Sequence, residues 1–274
     1  SIITPSPERI EAECPVYLRC GGCVFSHMNY KAEAELKAAH VAECFRRIGG
    51  VDPELEPIIY AKEDKRYRNK AQYPVAQENG EIRTVFYSPH SHRVVHCPDC
   101  LLQPEEFEGI LGVFENYIKK NGVSVYDETS HRGLLRHIYI RKGSASGEIM
   151  VCAVINGKNL PDEEGLVEAL LEKEPSIRSI IVNSNMKDTN VILGDKCSTL
   201  WGEDCITDIL CGLKFRISPL SFYQVNRNQA EKLYNKAAEY ASLTGNETLL
   251  DLYCGAGTIG LSMAKNAKTV IGVE

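Results

Sequence analysis

Ala34, Ala38, Val41, Phe45 and Ile48 recur at helical spacing within residues 29–48, and Gly49-Gly50 follows where a left-handed stop is needed, so one amphipathic helix is predicted there. From 56 to 105 the chain turns to short strand-like runs broken by Pro57, Pro74, Pro89 and Pro98. A second helix is predicted from Phe107 to Lys120, closed by Asn121-Gly122. Beyond it HIYIRK, EIMVCAVI, SIIVNSN and VILGDKC read as strands, with a helix near 162–173 between the second and third, which makes an α+β module. Alternation in the first of these sets Ile138 and Ile140 on one face and His137, Tyr139 and Arg141 on the other.

The pattern changes near Phe215. Asn226 with Gln229 three residues on resembles a capping box, and the helix it opens carries an apolar stripe of Ala230, Leu233, Tyr234, Ala237 and Ala241 that Gly245 would stop. TLLDLY then reads as a buried strand, CGAGTIG as a tight turn, LSMAKNA as a helix and TVIGVE as a second strand, so the fold class is α/β plus α+β, with the last part the start of a Rossmann-like unit. Two parallel strands and one helix leave apolar surface uncovered, and the first residue is Ser1 rather than Met, so the expectation is a piece trimmed at both ends.

The 274 residues are 43% hydrophobic and 25% charged, with no apolar run near the roughly 18 residues a membrane span requires and no signal-like start, so a soluble cytoplasmic protein is expected. The net charge of -6 argues against indiscriminate nucleic-acid binding but leaves room for local basic patches. Lys62, Lys65, Arg66, Arg68 and Lys70 lie together against Glu63 and Asp64, interleaved with Tyr67 and followed by Tyr73; Arg136, His137 and Arg141 form a second candidate on HIYIRK. Phosphate neutralisation with base stacking is what such mixtures offer, so Lys65, Arg66, Arg68, Lys70, Arg136, His137 and Arg141 are the candidate RNA contacts, against the plainer reading of solvated faces.

Gly255, Gly257 and Gly260 satisfy G-x-G-x-x-G between a strand and a helix, and Glu274 closes the next strand 19 residues after Gly255. Glycines let a ligand approach the backbone, and a carboxylate there accepts hydrogen bonds from both hydroxyls of a ribose, so a nucleoside cofactor is implied. Eleven cysteines are present, with Cys14, Cys20 and Cys23 in C-x5-C-G-G-C and Cys97 and Cys100 in C-P-D-C. The two C-x2-C pairs fit zinc, Cys14, Cys20 and Cys23 with one downstream cysteine fit an iron–sulfur cluster, and buried structural thiols are the bland alternative. Cys44, Cys152, Cys197, Cys205 and Cys211 lack ligand spacing and are expected to pack in the core.

DLYCGAGTIGL resembles the first donor-binding motif of class I methyltransferases, in the D-L-[FY]-C-G-x-G form of RNA uracil-C5 methyltransferases; SPLSFYQVNRNQAEKLY resembles that family's F-x-Q-V-N segment and YRNKAQYPV its Y-R-N-K segment. C-x5-C-G-G-C followed by a distant C-P resembles the [4Fe-4S] site of the members acting on ribosomal RNA, and the resemblance spans residues 14–274. It implies S-adenosylmethionine as donor, held by Gln224, Tyr253, Gly255, Gly257 and Glu274, and a cluster on Cys14, Cys20, Cys23 and Cys97 with Cys100 extra. Thr258 stands where some relatives carry a donor-touching Asn, and Cys254 is a small buried side chain rather than a nucleophile.

The resemblance further implies methylation of uracil C5 in 23S ribosomal RNA by cysteine addition at C6, with that cysteine and a carboxylate base beyond residue 274, so that this piece alone is inactive and the full-length protein is a monomer. Residues 1–25 and 59–215 would form the iron–sulfur and RNA-contacting domain, 26–58 a helical segment packing on the methyltransferase part, and 216–274 the start of the donor domain. Two rivals stand beside this reading. One is a non-catalytic, metal-stabilised RNA-binding module, and the other an iron–sulfur NAD-dependent oxidoreductase, which G-x-G-x-x-G alone would permit.

Overall fold

The computed structural model describes residues 2–274 except Asn79, His92 and Pro98, so the break expected at Pro98 lies outside the described residues. The first predicted helix is α1 (Tyr30–Arg47), opened by the Asn29 side chain, which accepts from Ala32 N at 2.9 Å. Only Ala34 on it is buried; Leu36, Val41, Phe45 and Ile48 stay exposed, so the apolar periodicity is present without a partner among the described residues.

Seven strands, β1 (Lys70–Glu78), β2 (Glu81–Tyr87), β3 (Val94–His96), β4 (Leu135–Lys142), β5 (Ile149–Ile155), β6 (Ile177–Ser184) and β7 (Lys196–Gly202), form one sheet in the order β3-β2-β1-β4-β5-β6-β7. Only β5 and β6 are parallel, and they are joined through α3 (Glu163–Lys173), as a parallel pair requires a crossover. Pro74, expected to break a strand, lies inside β1 at the point where that strand changes neighbours: Lys70 to Pro74 pair with β4, and Val75 to Glu78 pair with β2. A residue without an N–H is tolerated there because only one side of the ladder is engaged.

One face of the sheet is covered by α3 and by α2 (Glu106–Asn121), whose Phe107, Ile110, Phe114 and Ile118 share a core with Ile138, Ile140, Val151 and Val182. The opposite face, with Tyr139, Met150, Cys152 and Ile181, is covered by the hairpin β8 (Ile206–Leu210) and β9 (Leu213–Ile217) and by α4 (Arg227–Ala241). This hairpin was not anticipated, and VILGDKC is strand only from Lys196 onward; Ile192 and Leu193 instead fold over as a lid on the second core. The core therefore crosses the expected boundary at 215/216, since Phe215, Ile217, Tyr223, Ala230 and Tyr234 pack with sheet residues.

Asn226 accepts from Gln229 N at 3.1 Å and opens α4 as expected, but the helix stops at Ser242 in the left-handed conformation rather than at Gly245. After it, β10 (Thr248–Leu252) and β11 (Thr269–Val273) pair in parallel around α5 (Thr258–Met263), which tightens into a 3-10 turn at Ala264–Asn266. Gly260 sits where an added Cβ would come within 2.8 Å of Asp251 and 3.1 Å of Val270, so α5 rests directly on this pair. The other face, with Leu250, Leu252, Ile271 and Val273, is about half exposed. Among the described residues no helix is long and apolar enough to cross a membrane.

Candidate functional site

Three left-handed residues shape the loop between β10 and α5. Tyr253, Gly255 and Gly257 all have positive φ, at 58°, 53° and 71°, a sequence of left-handed residues that lifts the loop away from β10 before α5 begins. Tyr253 is the one non-glycine among them and is 93% exposed, an uncommon backbone state for an aromatic with nothing packed on it. Gly255 N–H donates to Glu274 Oε2 at 2.7 Å, which fixes the carboxylate at the mouth of the loop and leaves its other oxygen free of protein hydrogen bonds. Cys254 is half-buried rather than buried, lying against Gly272 where a Cβ would meet its sulfur at 3.0 Å. Thr258 Oγ1 is in hydrogen-bond contact with the Tyr234 hydroxyl at 3.2 Å, so it ties α5 to α4.

The Gln224 segment is attached to the sheet by a residue that sequence reasoning had not singled out. Asn69, buried at the start of β1, donates its backbone N–H to Val225 O at 2.9 Å and its side-chain amide to Gln224 O at 3.0 Å. Two of the segments on which the resemblance rests, Y-R-N-K and F-x-Q-V-N, thus touch through one asparagine. The available signal was a lone amide side chain between two cations in an otherwise charged run.

Cys14, Cys20, Cys23, Cys97 and Cys100 come together, packed on Val16, Val95 and Phe86. Burial, then Cys100, Cys14 and Cys20, push the Cys97 thiol up to about 12, and its Sγ donates to Asp99 O at 3.5 Å. Cys100 is raised by burial and by Cys23 and Cys20, while the backbone amides of Leu102 and Gln103 pull it back. Cys23 is raised by burial and then by its sulfur neighbours, against a Ser26 hydrogen bond and the nearby Arg68 charge. Among the described residues no three His, Cys, Asp or Glu side chains close on a point that a single metal ion could occupy. Gly21 seats the loop, since a Cβ there would meet Pro89 Cγ at 2.2 Å.

Of the remaining cysteines Cys152 and Cys205 are buried as expected, Cys44 and Cys211 are half-buried, and Cys197 is exposed because β7 is the sheet edge. All eleven thiols are free.

The candidate RNA residues divide. Arg136, His137 and Arg141 are buried, which corrects the expectation of an open strand face. Arg136 donates to Asn185 O, Lys187 O and Thr189 O and stacks over Tyr126; Arg141 donates to Ser218 O and Ser221 O. Burial holds His137 down at about 4, so it is neutral. The signal for this was present: EIMVCAVI is apolar at nearly every position, which marks a central strand covered on both sides, and its neighbour inherits the same cover. Arg66 is also committed, making two hydrogen bonds to Asp99, at 2.5 and 2.7 Å, and further ones to Cys100 O and Gln103 O. Lys65 pairs with Glu13. Arg68 and Lys70 have no carboxylate partner among the described residues; burial, then Arg141 and Arg68, hold the Lys70 ammonium below the usual lysine range.

A glycine turn between two parallel strands, closed onto a carboxylate after the second, matches the opening of a class I methyltransferase fold, and the chain superposes on such a protein. The crystal structure of Pyrococcus abyssi tRNA (uracil-54, C5)-methyltransferase in complex with S-adenosyl-L-homocysteine matches with a TM-score of 0.74 at 26% identity, over 97% of this chain and 58% of that one. The model of the tRNA (uracil-5-)-methyltransferase family matches residues 29–274, and the chain belongs to that family. Uncharacterized RNA methyltransferases of Clostridium tetani and Halalkalibacterium halodurans are each 44% identical to it, over 274 and 275 residues. In both cases the whole chain is matched, and it spans 60% of the length of these relatives.

Proposed function

We propose that the protein to which this chain belongs methylates carbon 5 of uracil in RNA, with S-adenosylmethionine as donor and 23S ribosomal RNA as substrate. The observation that carries the reading is the glycine turn closed onto Glu274 Oε2, beside a Gln224 segment fastened to the sheet by Asn69. Within it Gly255 and Gly257 keep the crevice open to the amino-acid end of the donor, Glu274 has a free oxygen for the ribose hydroxyls, and Tyr253 and Gln224 line the approach. The solved relative's bound S-adenosyl-L-homocysteine supports this ligand class over a dinucleotide. The donor supplies an electrophilic methyl group. Uracil C5 is a weak nucleophile, so cysteine addition at C6 and a carboxylate base are part of the proposal, neither being assigned to residues 1–274.

The five gathered thiols fit a soft metal centre. A single zinc ion needs four donors about 2.3 Å from one point, whereas a [4Fe-4S] core spreads its thiolates over a larger body. Of the two, the reading adopted is the cluster, on Cys14, Cys20 and Cys23, from the likeness of C-x5-C-G-G-C to the cluster-bearing relatives. Cys97 is the proposed fourth ligand, and Cys100, gathered with it, is extra. The proposed division is a cysteine-cluster part over 1–25 and 59–215 and a donor part from 216, with 26–58 packing on the latter, where Lys236 pairs with Glu56 and, just past the segment, Gln229 and Lys232 donate to Ile59 O and Tyr60 O.

The test is transfer of labelled methyl from S-adenosylmethionine to unmodified ribosomal and transfer RNA by the full-length protein, with nucleoside analysis of the product. Five-methyluridine in 23S RNA is expected. Label in transfer RNA alone would overturn the substrate, and RNA binding without donor binding by calorimetry would identify a non-catalytic module instead. Iron content is expected to be lost in C97S and retained in C100S, and the reverse would overturn Cys97 as the fourth ligand.

A further inference from the structure

A cavity of about 370 Å³ lies at the seam between the Y-R-N-K segment, the end of β4 and the first turn of α4. Its walls bring together four cations, Arg66, Arg68, Lys142 and Arg227, against two carboxylates, Glu105 and Glu106. Three of the four are already neutralised. Arg66 pairs with Asp99, Lys142 with Glu106, and Arg227 with Glu231 at 2.6 Å. Arg68 is not: its Nε is buried with no hydrogen-bond partner, and no carboxylate among the described residues approaches it. Lys70, two residues on where β1 begins, is a second half-buried cation without a carboxylate partner among the described residues, and it feels Arg68 as a repulsion. Two partly desolvated positive charges without a counterion are costly unless an anion completes the site.

The position says which anion. Asn69, which lines the same cavity, is the residue that holds Gln224 O, so the cavity adjoins the segment at the donor crevice. Tyr67 lines it as well and adds an aromatic side chain to the same walls. A guanidinium with free donors sharing a cavity with an aromatic ring suits a nucleotide of a single strand, with its phosphate on the charge and its base against the ring.

We propose that this cavity is a phosphodiester subsite, in which Arg68 binds a backbone phosphate of the RNA strand flanking the target uracil, with Tyr67 beside the adjoining base. The inference rests on the RNA-methylating reading above and adds to it the place where the strand is gripped. Arg68 acts in binding the strand, and the methyl transfer itself does not pass through it.

The test uses the full-length protein, a labelled single-stranded oligoribonucleotide and a salt titration. Removing one phosphate contact from a single strand lowers the slope of log K against log salt by about 0.7, which is about fivefold in affinity at 0.1 M salt. R68Q is expected to show that loss, and the exposed Lys119→Gln none. R68Q with the wild-type slope would overturn the subsite while leaving RNA methylation standing, and a wild-type protein that binds no RNA would sink both. R68Q that loses its iron while keeping the slope would overturn it in favour of Arg68 as the counter-charge of the cysteine centre, to which Cys23 brings it near. Inorganic phosphate displacing the oligonucleotide where chloride at equal ionic strength does not would make this a free-phosphate site, against the proposal.

Discussion

Strands β4 and β10 lie in opposite surroundings, and the one richer in charged residues is the one that is buried. Every residue of β4 from Leu135 to Arg141 is buried, with helices on one face and the hairpin with α4 on the other. In β10 the residues alternate between exposed and half-buried, and only the face under α5 is covered. The difference decides what polar residues can do. On β4 a buried guanidinium is held by carbonyls and serves the fold; just past the end of β10 the Tyr253 side chain is exposed and accessible from solvent.

Substitutions can break this comparison. The largest effect is expected from Ile140→Ala, which empties a fully buried site and should cost about 2–5 kcal/mol in denaturant unfolding. Leu252→Ala, 57% exposed on β10, serves as its counterpart and should stay within about 0.5 kcal/mol. A similar cost from the two would mean that β10 is as enclosed as β4.

His137 comes next, and it is pH that exposes it. Its folded value near 4 lies below the unfolded 6.5, so folding favours the neutral ring. The stability this provides is present above pH 6.5 and is lost as pH falls toward 4, by about 3 kcal/mol in all. Unfolding free energies at pH 7, 5.5 and 4 should fall in that order for the wild type and far less steeply for H137Q.

Arg141→Leu should cost about 2 kcal/mol, because the carbonyls of Ser218 and Ser221 lose their donors in a buried place. Its oligoribonucleotide affinity, measured where the variant is folded, should match the wild type. A drop in affinity at unchanged stability would return Arg141 to the RNA surface. The smallest effect belongs to Gly257→Ala, where a left-handed residue gains a Cβ at roughly 1 kcal/mol of strain, while donor affinity by calorimetry falls further than the stability change.

What could be read from the chain follows the same contrast. Helices α1, α2, α3 and α4 and strands β10 and β11 were legible because each announces itself locally, through a 3.6-residue stripe, an Asn cap or a glycine stop. The glycine turn and Glu274 were legible for the same reason, as a motif fixed by backbone geometry within 20 residues. The carbonyls that hold Arg136 and Arg141 were not, since they lie on loops that arrive some 50 to 80 residues later. Nor was the meeting of Asn69 with Gln224, separated by 155 residues, or the company Cys100 keeps with Cys20 and Cys23. Such joints are tertiary, and no local period encodes them.

The Asn69 bond carries one more consequence. A residue that belongs by hydrogen bonding both to the first strand and to the loop before α4 works as a rivet, so the sheet cannot tilt without dragging the Gln224 backbone along with it. The bearing of the Gln224 backbone is therefore inherited from the strand ladder, while the glycine turn takes its own from Glu274.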